Sequence, residues 1–87
     1  MIPELEDTIE LMTSNDYKER FKAEFWQLSI RYHKLRDIIS RAEVNLLDFR
    51  PQCPLYVLRI QLEEMKGYMR TLQERAEIEG IDLTWQD

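Results

Sequence analysis

The sequence has one cysteine, one histidine, two glycines and three prolines in 87 residues. The lone Cys53 excludes an internal disulfide, and one histidine leaves no zinc-site pattern. With so few glycines and prolines, and 33% charged residues, there is little material for a loop-rich fold. Uncharged runs fall far short of the roughly 18 residues that a membrane span requires. The N-terminal run Met1-Ile2-Pro3-Glu4-Leu5-Glu6-Asp7 lacks the basic and apolar regions of a secretory signal, so the cytoplasm is the expected location. Twelve basic residues against 17 acidic ones give a net charge of −5. That balance argues against general nucleic-acid binding and is too mild for a DNA mimic. No glycine-rich phosphate loop is present, His33 stands alone, and the acids are scattered over helical faces without converging on a base. The chain is therefore expected to be a non-enzyme with no cofactor and no metal.

What the sequence does have is rhythm. Phe21, Phe25, Leu28, Tyr32, Leu35, Ile39 and Ala42 recur at alternating spacings of four and three, the seam of a heptad. Leu55, Leu58, Leu62, Met65, Met69, Leu72 and Ala76 repeat the pattern up to Gly80, a natural helix terminator. Between the two arms lies Leu47-Asp48-Phe49-Arg50-Pro51-Gln52-Cys53-Pro54, whose prolines stop one helix and suit the start of another. So short a connection forces an antiparallel return. The expected fold class is all-α, an antiparallel two-helix hairpin of coiled-coil type completed by oligomerisation into a helical bundle. Its segments are an acidic leader or short helix over 1–12, a first helix over 13–44, a turn over 45–53, a second helix over 54–79 and a tail over 80–87. Thr13 and Asp16 have the spacing of a capping box for the first helix, with Met12 and Tyr17 as a hydrophobic staple. The alternating Ile81-Asp82-Leu83-Thr84-Trp85 suits an extended segment or a short strand.

Placing Phe25 and Leu55 at heptad position a defines two flanks. One matches Glu24 with Arg75, Arg31 with Tyr68 and Ile38 with Gln61, and its Tyr17, Arg20, Arg31, Tyr68 and Arg75 form either a set of structural pairs or a polar cleft for a ligand. The other places Arg36 near Arg59 and Ser29 near Lys66. Like charges left unpaired there, together with Lys22, would attract an anion such as phosphate unless Glu63 and Asp37 neutralise them. Trp26, Ile30, Tyr56 and Ile60, with Val57, lie off the seam, and a bare hairpin has no third layer to bury them. They are expected to be exposed and to form an interface, with self-assembly favoured over a partner-specific groove.

Three blocks carry a resemblance as a set: Asp16-Tyr17-Lys18-Glu19-Arg20-Phe21-Lys22-Ala23-Glu24; Leu47-Asp48-Phe49 with Pro51 and Cys53-Pro54-Leu55; and Arg75-Ala76-Glu77-Ile78-Glu79-Gly80-Ile81. From Met12 to Leu83 the chain resembles a family of small proteins of crAss-like phages and Firmicutes prophages, with residues 1–11 outside the shared pattern. In architecture it is similar to the helical-hairpin domain of phage anti-CBASS and anti-Thoeris sponge proteins, from which no binding residue carries over. The resemblance implies an anti-defence protein of the bacterial host cytoplasm. Such a protein would be an oligomer that sequesters a cyclic nucleotide or other nucleotide immune signal in pockets between hairpins. Alternative readings are an inhibitor or adaptor docked on a host defence protein, and a structural phage component.

Overall fold

Helix stops stand where capping chemistry is available, and they divide the chain into four elements. The computed structural model describes residues 2–86. A 3-10 turn, Leu5–Thr8, runs into the single turn α1 (Ile9–Met12), followed by the long helices α2 (Tyr17–Glu43) and α3 (Leu55–Glu79). The described residues contain no strand, and 81–86 form neither helix nor strand. None of their helices is long and apolar enough to cross a membrane.

α2 begins at Asp16 rather than at Thr13. The Asp16 carboxylate accepts from the Lys18 N–H at 2.9 Å, and Ser14 Oγ accepts from the Asp16 N–H at 3.0 Å while donating to Glu19 at 2.6 Å. Thr13 is engaged elsewhere, donating to the Ile9 carbonyl at 2.9 Å, so it closes α1 instead of opening α2. At its far end α2 stops in a Schellman turn. Asn45 takes the left-handed conformation (φ 59°), the Leu46 N–H donates to the Arg41 carbonyl at 2.8 Å and the Asn45 N–H to the Ala42 carbonyl at 3.2 Å. Asparagine tolerates this conformation better than a bulky residue would. α3 ends in the same manner at Gly80 (φ 70°), where the Ile81 N–H donates to the Ala76 carbonyl at 2.8 Å. That turn swings Ile81 back onto the seam beside Ala76, the apolar contact that accompanies such caps.

The two helices pair along the heptad seam into a molecule 43 Å long. Packing is uneven along that length. Near the chain termini Phe21, Phe25, Leu72, Ala76 and Ile81 are buried together, with Trp26, Leu28, Met69 and Leu83 against them. Toward the turn Ile39 is buried, but Leu35, Leu55, Leu58, Leu62 and Met65 are only half-buried. The difference comes from a third layer that the termini end possesses and the turn end lacks. Ala23, Trp26, Gln27 and Ile30 form a second stripe on α2 at helical spacing, and the N-terminal segment lies along it. Thr8, fully buried, accepts from Gln27 Nε2 at 2.9 Å and donates to the Leu5 carbonyl at 2.6 Å. Pro3 is buried near Ile30. From the other side Trp26 Nε1 donates to the Leu83 carbonyl at 2.7 Å, and its ring meets Phe25 and Trp85 edge-on.

This corrects the expected exposure of Trp26 and Ile30. Ile30 is 6% exposed and Trp26 half-buried, because the chain covers them with its own ends. Tyr56 and Ile60 stay exposed, at 66% and 55%.

Gly67 sits in mid-α3 with nothing within 4 Å of where a Cβ would lie. Replacing it with alanine removes the entropic cost of glycine without a clash, so Gly67→Ala is expected to stabilise the fold by about 1 kcal/mol. A rise in melting temperature of roughly 4–8 °C would register this.

Candidate functional site

The polar flank is built from the first turns of α2 and the last turns of α3, which lie side by side because the helices run antiparallel. Arg75 leaves α3 and lies across the Phe21 ring, with Cζ 4.8 Å from the centroid. Its Nη2 donates to the Tyr17 hydroxyl at 3.0 Å, and its Nε to Glu79 at 3.3 Å. Tyr17 in turn donates to the other Glu79 oxygen at 2.7 Å, closing a three-residue ring. One heptad along, the Tyr68 hydroxyl donates to Glu24.

These pairs differ from the expected ones. Arg75 meets Tyr17 instead of Glu24, and Tyr68 meets Glu24 instead of Arg31, each one heptad nearer the start of α2, while on the other flank Arg59 meets Glu43 instead of Arg36, one heptad nearer its end. The physical reason is that exposed flank pairs contribute only tenths of a kcal/mol and long side chains cross diagonally to a better partner, while the packing of Phe21 and Phe25 with Leu72 and Ala76 holds the seam in its expected stagger. Two expected cleft residues lie apart from the ring. Arg20 turns back to donate to the Ser14 carbonyl at 2.8 Å, and Arg31 is exposed with no ion pair among the described residues.

The ring perturbs its own titrations. The Tyr17 hydroxyl bonded to Glu79 holds that carboxyl below its ordinary range, assisted by Arg75, and the same bond raises the Tyr17 phenol above its ordinary value. A lowered carboxyl stabilises the fold above its unfolded pKa, and that contribution is lost as pH falls through the folded value. A raised phenol contributes below its unfolded pKa and loses that contribution as pH rises through the folded value. Both contributions are thus fully present between about pH 4.3 and about pH 10. Tyr17→Phe is expected to return the Glu79 carboxyl toward its ordinary pKa, read as an upward shift of its side-chain NMR titration.

Most of the basic flank is engaged. Arg59 Nη2 lies 3.6 Å from Glu43, Arg36 sits 5.9 Å over the Tyr32 ring, and Lys22 sits 5.8 Å over Trp85. Ser29, expected beside Lys66, is buried and lines a cleft with Ile2 and Pro3 of the N-terminal segment, its carbonyl 2.7 Å from His33 Nδ1. Lys66 is exposed with no ion pair among the described residues. Glu43 at the end of α2 and Trp85 in the tail thus engage Arg59 and Lys22.

The arrangement thus offers two tyrosine rings, a fixed guanidinium and two carboxylates on one side of the rod. Carboxylates accept from hydroxyl and amino groups, and aromatic rings stack on bases, so the flank suits the sugar and base of a nucleotide better than bare phosphate. Glu24 and Glu79 were not expected to be site residues. Only the i,i+4 spacing of Arg75 and Glu79 signals the second of them. Among the described residues no group of three His, Cys, Asp or Glu is placed to hold a metal.

No match was found among curated proteins or solved structures. The sequence does match the Sequestin family over residues 15–78, the span from the α2 cap to the last turn of α3, leaving the N-terminal layer and the tail outside. With most of its 87 residues matched, the chain belongs to the Sequestin family.

Proposed function

We propose that the protein is a non-enzymatic phage or prophage protein that sequesters a nucleotide immune signal in the cytoplasm of the bacterial host, working as an oligomer of hairpins. A family named for sequestration supports the class of activity. The observation that carries the ligand class is the ring of Tyr17, Arg75 and Glu79 beside the Tyr68–Glu24 pair. In this reading Tyr17 and Tyr68 stack on bases, Glu24 and Glu79 accept from ribose hydroxyls or exocyclic amines, and Arg75 holds a phosphate or a base edge. Arg31, on the same flank, exposed and not engaged in an ion pair among the described residues, holds a phosphate.

Calorimetry against cyclic dinucleotides, cyclic trinucleotides and cyclic ADP-ribose isomers tests the reading. One member of the panel is expected to bind, and Tyr68→Ala is expected to weaken it by about tenfold or more, the loss of one stacked base. The released ligand should be chemically unchanged. Absence of heat from every member overturns the proposal.

A further inference from the structure

The turn end of the hairpin lacks the third layer that its other end has, and its surface shows the deficit. The protein exposes 6488 Å², whereas a compact monomer of 10.6 kDa exposes about 5,500 Å². The excess is of the order of the 800 Å² or so that each partner loses in a standard interface. It is not spread evenly. Near the termini the N-terminal segment and tail cover α2. Near the turn the outer face of α2 is polar, with Lys34, Asp37, Ser40 and Arg41, whereas the outer face of α3 presents Tyr56, Val57 and Ile60, all exposed.

We infer that this face of α3 is the contact between two copies of the chain, packed antiparallel about a two-fold axis passing near Ile60. The inference rests on the oligomeric form of the reading above and names the surface that forms it. The charge pattern selects a second copy as the occupant. Arg59 and Glu63 lie on the same side of the stripe and on opposite sides of Ile60 along the helix. A two-fold axis through Ile60 therefore sets Arg59 and Tyr56 of each copy within a turn of Glu63 of the other, an isologous pairing that repeats on both sides. Ile60 packs against its own equivalent at the centre. Arg59 already leans toward Glu43 at 3.6 Å, so it lies between two carboxylates and is held across the interface.

Sedimentation of the full chain over the micromolar range, without nucleotide, tests this directly. The expected mass is about twice the 10.6 kDa of one chain. Ile60→Glu, at a position exposed in the single hairpin, is expected to keep the helical circular dichroism and to raise the dissociation constant roughly thirtyfold or more, as loss of a central apolar anchor does. Arg59→Glu and Glu63→Arg are each expected to weaken association, and the two together to restore it. A chain that stays monomeric, a dimer indifferent to Ile60→Glu, or a charge swap that restores nothing overturns the inference. Because no ligand is present, these outcomes are independent of whether a nucleotide binds.

Discussion

Leu72→Ala is expected to lower the unfolding free energy by about 3–5 kcal/mol. Leu72 is 0% exposed and lies between Phe21 and Phe25 on one helix and Ala76 and Ile81 on its own side of the seam. Truncation removes the transfer free energy of three carbons and leaves a void that rigid aromatic neighbours collapse into only partly. A domain of this size has of the order of 4–13 kcal/mol in all, so the loss is a large fraction of the whole. The same change at Leu62, half-buried on the seam near the turn, is expected to cost distinctly less. Thermal denaturation of the two variants compares the two ends of the rod: a difference of roughly 10 °C or more is expected, with Leu72→Ala the lower. Equal losses would show that the seam is packed uniformly, against the burial described above.

The contrast between the ends also marks what was legible in the sequence. Seven apolar residues in strict three-four alternation on each arm declare two helices and their facing stripes, because helical geometry converts that spacing directly into a seam. The flank pairs were less legible. The seam brings Phe21 and Phe25 to Leu72 and Ala76 as the heptads require, but exposed polar pairs are worth too little to decide which of two side chains one heptad apart is met. The closure of the rod's end was harder still to read, because Ile81, Leu83 and Trp26 meet through a left-handed glycine turn and a tail with no helical periodicity. Tyr17, Tyr68 and Arg75 were recognisable as one flank, but their carboxylate partners Glu79 and Glu24 emerge only from the directions the side chains take. The third layer was the least legible. Residues 1–12 read as an acidic leader or short helix, yet the α2 stripe of Ala23, Trp26 and Ile30 that residues 2–12 cover is as regular as the seam. Read as exposed, that stripe suggests an interface. Covered, it accounts for the burial of Thr8 and Pro3 in a segment that propensity alone would leave loose.

Removing residues 2–12 is therefore expected to destabilise the hairpin by roughly 2–4 kcal/mol while leaving α2 and α3 helical. The deletion exposes the side chain of Ile30 and the covered part of Ala23 and Trp26, an apolar loss of about 1.5–3 kcal/mol for the isoleucine alone. It also leaves Gln27 without its Thr8 partner, which water replaces at little cost because the site opens. Against these losses stands the recovered conformational freedom of a short segment, which limits the net effect. Helicity survives because the deleted residues cap neither long helix: α2 takes its cap from Asp16 and Ser14, and α3 lies on the opposite side of the seam. The exposed stripe then adds a second apolar face to a rod that already presents Tyr56 and Ile60. The shortened chain is expected to melt roughly 10–30 °C lower and to form assemblies larger than those of the full chain, seen as an increased mass by light scattering. Restoring polarity with Ile30→Gln in the shortened chain is expected to reverse the extra association but not the lost stability. An unchanged melting temperature would mean that the N-terminal segment rests on α2 without stabilising it.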